Sequence, residues 1–502
     1  MNLYIFLQNE GFSAKTFKLN VETHNRMELV MEEDLALYAV KLASELGAEY
    51  VDARLEDHYN EIIVVADGKV QQGVINRKRG IGVRTLVNGA WGFQSTTDLT
   101  KRGVRQTVEI AFKIAKASSR HVPKPVELAP AKAYKASYKT EVRIDLEDVA
   151  FEDKLKHLVT WEKKLHTSKR IVRGLAEYTG LKINKMFVNN EGANIKFSNS
   201  LVWLSLKADS KKGAVAQSYE KTVGHSGGYE LFKKNNMEKM AVEIGHKAEA
   251  LLKAKAAKTE KDATVILDND YAALLVHEIV GHPSEADRVL GREAAWAGTT
   301  WWAGKIGEKI GSEQFTAYDD PTIPGTLGYY LYDDEGVKAR RKVLVEKGVL
   351  KGHMHSRETA AVFGVKPNAG MRAITFEYIP LIRMSNTFFG EGDWKKDELI
   401  EETKHGYLVS CMRHPSIDDK RYNWTISAQE AYEIKNGELT THLRDVALTS
   451  TAPKFFKSID AATKKVEIIP LPGCGKGDPM QSLYVGNGGP YIRGVATVLG
   501  VR

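Results

Sequence analysis

Three residues in one short stretch could do chemistry together. They are His277, Glu278 and His282, within Tyr271-Ala-Ala-Leu-Leu-Val-His-Glu-Ile-Val-Gly-His-Pro-Ser-Glu-Ala-Asp287. Two imidazoles and a carboxylate in about one turn of chain are the ingredients of metal-dependent hydrolysis. The common zinc-protease pattern puts the second histidine four residues after the first, on the same helix face. Here the second histidine comes five residues after the first. On a straight α-helix that offset is about 140°, so the rings would diverge. The helix must therefore bulge, or end and let His282 turn back towards His277. Gly281 suits a left-handed C-terminal residue and Pro283 disfavours a helical His282 before it. The expectation is a helix end that points His282 back.

A catalytic zinc site takes three protein ligands and leaves one position for water. His277 and His282 supply two, and Glu278 is better used as the base that takes a proton from that water. For the third ligand the residues leave open Cys474, in Gly473-Cys-Gly-Lys-Gly477, and the nearby Glu285 and Asp287. Cys474 has flanking glycines that permit close backbone approach, and Lys476 beside it would favour the thiolate. Zinc is the expected ion, and other first-row divalent metals suit the same donors. Cys411 follows an apolar strand-like run and reads as a buried, inert thiol. His225, beside a glycine-rich loop, reads as a solvated loop histidine, and His353, His355, His405 and His414 lack persuasive ligand spacing.

The elements that must position these groups are many and mixed. The chain has 502 residues, more than one compact core usually takes, so several domains are expected. We divide it into residues 1–30 (an extension), 31–120 and 121–257 (two α+β segments), and 258–502 (a β-rich segment carrying the motif helix). Residues 31–45 have a helical pattern. Hairpin signals stand at Asp67-Gly68, Asn88-Gly89 and Asn436-Gly437. Short strands are expected at 50–55, 61–65, 70–75 and 80–87, then at 171–178, 182–188, 193–197 and 201–207. His121 to Pro130, with three prolines, reads as a linker. A strand at 325–332 and a helix at 394–405 are expected in the third segment. Strands and a few helices without regular βαβ spacing indicate α+β architecture with largely antiparallel sheets, mixed with helices at the N-terminal end.

Composition excludes several classes. No apolar run reaches transmembrane length and the start does not read as a signal peptide, so no membrane partner is expected. Two distant cysteines make no disulfide framework, which points to a reducing cytoplasm. The net charge of +8 comes from 72 basic and 64 acidic residues that are interspersed, so nucleic-acid binding is not expected.

Beyond these features, the chain resembles a family. His277-Glu278-x-x-Gly281-His282-x-x-Glu285-x-Asp287 is similar to the signature of the TldD/PmbA metallopeptidases. So are Gly80-Ile-Gly-Val-Arg-Thr-Leu-Val-Asn-Gly-Ala-Trp-Gly-Phe93, Asp319-Asp-Pro-Thr-Ile-Pro-Gly-Thr-Leu-Gly328, Asp333-Asp-Glu-Gly336, Arg383-Met-Ser-Asn-Thr387, Gly473-Cys-Gly-Lys-Gly477 and Val485-Gly-Asn-Gly488. The resemblance runs in order over about residues 30–500 and implies a metal held by His277, His282 and Cys474, with Glu278 catalytic. It further implies a cytoplasmic peptidase acting on unstructured peptides, as a homodimer or as a heterodimer with a TldE/PmbA-type subunit lacking the motif. The alternative it leaves is a non-catalytic modulator or subunit, related to gyrase or to a toxin–antitoxin system, with a structural metal. Residues 1–26 depart from the family pattern, as an extension or because translation begins at Met27 or Met31.

Overall fold

The computed structural model describes residues 27–293 and 298–500, with side chains from residue 32. The expectation for residues 1–26 lies outside the described residues. The first helix begins at Met27 rather than Met31 and runs to Glu45. Among the described residues no helix is long and apolar enough to cross a membrane.

The architecture is α+β. Strands of the first two segments form one sheet in the order Ala90–Thr96, Lys69–Val87, Tyr50–Ala66, Ile171–Asn189, Asn194–Lys212. Lys135–Lys139 and Val215–Ser226 both pair with the last of these, in parallel and antiparallel sense respectively. Asp67-Gly68 and Asn88-Gly89 turn the first hairpins as expected, all four residues at positive φ.

The strands between the turns are about twice as long as expected. Tyr50–Ala66 is one strand of 17 residues, and Ile171–Asn189 is one of 19. The polar run Glu56-Asp-His-Tyr-Asn60 resembles a break, yet it stays paired on both sides, to residues 76–80 and 181–185. Here the strand passes from one apolar cluster to another. Val51, Ala53 and Leu55 pack under the helices Met27–Glu45 and Lys101–Ser118, whereas Ile63 and Val65 pack with Phe151–Leu165 and Met237–Leu251. A strand shared by two cores has a polar middle that breaks the period-two pattern.

The expected linker is irregular but anchored. Val126 N–H donates to Gly89 O at 2.8 Å and Ala129 N–H donates to Arg357 O at 3.0 Å.

In the third segment, Glu260–Leu267, Ile492–Gly500, Val446–Thr451, Asn423–Lys435 and His405–Ile417 pair in a closed circuit. A second sheet runs Val349–Leu350, Lys342–Glu346, Ala317–Asp319, Asn386–Phe389, Gln481–Gly489, Glu467–Lys476. The strand expected at 325–332 is instead a series of turns, and the helix expected at 394–405 is confined to Lys396–Glu401. Both stretches carry residues whose polar groups are needed elsewhere. Tyr330 donates to Ala369 O at 2.8 Å, and His405 opens the strand that closes the circuit.

The N-terminal sheet docks on the third segment through its glycines. A Cβ at Gly82 would stand 2.1 Å from Phe376 O, and one at Gly80 would stand 2.2 Å from the Phe376 ring. Arg84 reaches across to Glu335 at 3.4 Å, and Lys185 to Asp334 at 2.7 Å. Gly82→Ala is expected to destabilise the protein by about 1–3 kcal/mol, the range for overpacking against unyielding atoms. Urea unfolding followed by tryptophan fluorescence checks this; an unchanged midpoint would contradict the docking contact.

Candidate metal centre

The motif begins where the strand Glu260–Leu267 ends. The Asp268 side chain caps the helix Asn269–Val276 by accepting from Tyr271 N–H at 2.7 Å, and also accepts from Cys411 N–H. Asp270 accepts from Met412 N–H at 2.9 Å, so both carboxylates tie the helix start to the neighbouring strand. Burial, with Asp270 alongside, pushes the Asp268 carboxyl up to about 7. Every residue from Tyr271 to Val276 is buried.

The helix does not end at His277. It widens into one π-turn, His277–Gly281, in which His282 N–H donates to His277 O. The expected helix end is therefore corrected. Gly281 is right-handed, at φ −62° and ψ −65°, and His282 is helical, at φ −57° and ψ −42°. An i→i+5 bond stacks the sixth residue over the first, which absorbs the extra residue of spacing. Pro283 then sits at the start of a following 3₁₀ turn, where its missing N–H is tolerated. Gly281 serves packing: a Cβ there would lie 1.9 Å from Met384 Sδ.

The π-turn brings the two rings together, with centroids 4.7 Å apart and planes 80° apart. Cys474 joins them from the strand Glu467–Lys476, its Sγ 3.8 Å from His282 Nε2. One ligand atom from each of the three residues lies within 4.8 Å of the other two, and all three residues are buried. Tetrahedral zinc with ordinary Zn–N and Zn–S bonds would hold nitrogen and sulfur about 3.6 Å apart. The donor set therefore fits such an ion. Each imidazole is also braced at its other nitrogen: His277 Nδ1 meets Asn487 Oδ1 at 3.3 Å and His282 Nδ1 meets Glu285 Oε2 at 3.1 Å. With Nδ1 as donor, Nε2 keeps its lone pair for a metal.

Electrostatics favour the ligating form of the sulfur. Burial opposes a charged thiolate, yet His277, Arg383 and His282 together hold the Cys474 thiol well below its ordinary range. Burial also resists a charged His277, but the Cys474 charge and hydrogen bond, with Glu278, lift it to about 9. Burial pushes His282 well below its usual value.

The other third-ligand candidates have different work. Glu285 holds His282, and Asp287 accepts from Lys476 Nζ at 2.8 Å. Lys476 thus pairs with Asp287 and with Glu285 at 3.3 Å, and the cation that steadies Cys474 is Arg383. Nor does close packing explain Gly473: a Cβ there would meet only Ser482 Oγ, at 3.6 Å. Glu278 lies beside His277 in the π-turn, and its Oε2 accepts from Arg421 Nη1 at 2.5 Å.

Arg383 and Asn487 lie inside motif strings quoted from the sequence but had no role there. Arg383 donates to Gln481 O at 2.9 Å and to Cys474 O, clamping the hairpin that carries the thiol. Arg421 lies outside every such string, and no sequence signal marks it. Cys411 is half-buried rather than buried, and its surroundings, with Asp268 and Asp270, push its thiol up, away from the thiolate. His225 is half-buried and hydrogen-bonded to Gly228 O at 2.9 Å, outside the cluster.

Comparisons with known proteins give the family of the chain. Family models match in order: PmbA/TldA metallopeptidase domain 1 over residues 51–115, the central domain over 144–252 and the C-terminal domain over 260–497. A metalloprotease of Methanocaldococcus jannaschii is 34% identical over 466 residues, covering 92% of this chain and 100% of that one. A zinc metalloprotease TldD homolog of Saccharolobus solfataricus is 27% identical over 462 residues, covering 90% of this chain and 97% of that one. The crystal structure of TldE from Thermococcus kodakarensis superposes with a TM-score of 0.74 at 19% identity, covering 93% and 99% of the two chains. The fold is thus that of a metallopeptidase class built from three successive sequence units. The chain belongs to the PmbA/TldD metallopeptidase family.

The bracing of His277 can be tested. Asn487→Ala is expected to weaken zinc binding about 10–100-fold, the usual effect of removing an outer partner. Zinc affinity should also fall with pH below about 9, because His277 must release its proton to bind. Competition with a chromophoric chelator across pH measures both; an affinity unchanged by the substitution would contradict the role of Asn487.

Proposed function

We propose that this chain is a zinc-dependent peptidase that cleaves unstructured peptides, with the metal held by His277, His282 and Cys474 and with Glu278 as general base. The observation that carries this reading is the convergence of two imidazoles and a thiolate, with a carboxylate beside them. Bound there, zinc lowers the pKa of water towards neutrality and polarises a carbonyl. Glu278, next in chain to His277, would take the proton of the attacking water and pass it to the leaving amine. The relatives named metalloproteases support the reaction class.

Substrate choice follows from the sheet. Among the described residues Glu467–Lys476 is the last strand of its sheet, so one of its edges has no strand partner there. An extended peptide laid along Gly473 to Gly475, beyond Pro470 and Pro472 that lack an N–H, would gain backbone hydrogen bonds with little side-chain selection and would pass Cys474. Burial of the four site residues favours a flexible chain over a folded protein. A structural metal is the competing reading, since the cluster is buried. Structural zinc sites supply four protein ligands, however, and among the described residues this cluster offers three. The likeness in fold to TldE supports pairing with a second subunit of that kind or with a second copy. Two free cysteines suit a reducing cytoplasm.

Glu278→Gln is expected to retain the metal and to lose at least about 100-fold in kcat on an unstructured peptide, the size of a general-base effect. Chelation should abolish turnover and added zinc restore it. Elemental analysis with a peptide assay reads both; full turnover by Glu278→Gln would sink the assignment of the base.

A further inference from the structure

The contact on Glu278 carries more than the proposed reaction uses. Arg421 stands in the turn between the strands His405–Ile417 and Asn423–Lys435. This turn is held in place. Asp418 accepts from Tyr422 N–H at 2.7 Å and from Asn423 N–H at 3.0 Å, and Lys420 O accepts from Trp301 N–H at 3.0 Å. Tyr422 packs edge-to-face on Trp301 at 6.0 Å. Arg421 itself is at φ +59°, a left-handed conformation uncommon for a residue with a side chain. The turn thus fixes a strained residue whose side chain points at the motif.

The Arg421 side chain is 14% exposed, and Nη1 is bonded to Glu278. Its Nε is buried without a hydrogen-bond partner. Among the described residues Nη2 has no acceptor either. A half-buried cation whose Nη2 has no protein acceptor, beside a proposed catalytic carboxylate, is arranged to receive negative charge.

Resting on the reading above, we propose that Arg421 is a catalytic residue that binds the carbonyl oxygen of the peptide bond being cut, where negative charge develops. As water adds to the scissile carbonyl carbon, the C=O π pair moves onto that oxygen, and Glu278 takes one water proton. When the C–N bond breaks, the pair returns to form the new carboxyl group and the amine leaves with the proton held by Glu278. The second water proton is lost as the carboxyl group ionises. Through this cycle the Arg421 fork keeps Nη1 on Glu278 and offers Nη2 to the oxygen. A guanidinium seated on Glu278 itself is at the bond being cut. One reserved for the C-terminal carboxylate of a substrate would sit a residue or more further along, about 3.3 Å per residue of extended chain.

The test compares the wild-type protein with Arg421→Lys and Arg421→Ala on one unstructured peptide made with a free and an amidated C-terminus. Metal content and melting temperature are measured on each. The expected result is a fall in kcat of about 100-fold or more for Arg421→Ala, as for other oxyanion donors, with KM little changed. Metal content should be unchanged, the loss should be smaller in Arg421→Lys, and millimolar guanidinium should restore part of the alanine variant's kcat. A phosphinic analogue of the peptide should bind Arg421→Ala about 100-fold more weakly, while the product peptides bind as before. A retained kcat would overturn the proposal. So would a defect confined to KM that vanishes with the amidated peptide, because Arg421 would then be a C-terminus receptor. A wild-type protein without turnover would overturn the peptidase reading and this one with it. Loss of turnover in Arg421→Ala with lost metal or lowered melting temperature, without guanidinium rescue, would make Arg421 structural and overturn the proposal alone.

Discussion

The hydrogen bond from the His282 amide to the His277 carbonyl sets what this site can be. Without it, a five-residue spacing on an α-helix would turn the two rings about 140° apart, and the motif would hold nothing. With it, the rings face one another, and the residue between them that the wider turn accommodates costs no ligand. Neighbours maintain the wider turn. Ser284 Oγ donates to Val280 O at 2.7 Å, and Trp302 Nε1 donates to Pro283 O at 2.7 Å, so polar groups at the abrupt end are satisfied. Gly281 lets Met384 lie against the turn, which Met384 fills as a fully buried side chain.

The third donor depends on a different set of contacts. Cys474 comes from a hairpin that pairs Glu467–Lys476 with Gln481–Gly489, and the same hairpin supplies Asn487 to His277. Its partner strand runs parallel to Asn386–Phe389. The run from Arg383 to Thr387 works as one fastening. Arg383 clamps the hairpin, Met384 meets Gly281, and Ser385 and Thr387 donate to Asp319 at 2.7 and 2.9 Å. Lys342 balances Asp319 at 2.7 Å. Buried charge of this kind is costly unless it is paired and hydrogen-bonded, and here it is both. The motif turn and the thiol thus meet only once these sheets have assembled.

Much of the site was legible in the sequence because its chemistry rests on rare residue types at fixed positions. His277, Glu278, His282 and Cys474 stand out by type, and the glycine and proline after the motif announced that the helix could not run on normally. The direction of that abnormality was not legible. Gly281 and Pro283 are as compatible with a left-handed stop as with a π-turn, and the glycine answers to Met384, a hundred residues later, which leaves no room for a Cβ. Lys476 does share a strand face with Cys474, but its ammonium is taken by Asp287 and Glu285, which the spacing alone does not reveal. The long strands of the first sheet were read as pairs of short ones because a polar middle interrupts their pattern. Arg421 left no mark at all, since an arginine in a polar hairpin turn is ordinary until the turn is seen to face Glu278.

The most direct test of the metal centre is X-ray absorption at the zinc edge on protein purified without added metal, compared with Cys474→Ser. The expected first shell has one sulfur at about 2.3 Å and two imidazole nitrogens at about 2.0–2.1 Å, with an oxygen donor in the remaining position. The serine variant should lose the sulfur and keep the imidazoles. A wild-type spectrum without sulfur, or one unchanged by Cys474→Ser, would contradict a site made from His277, His282 and Cys474.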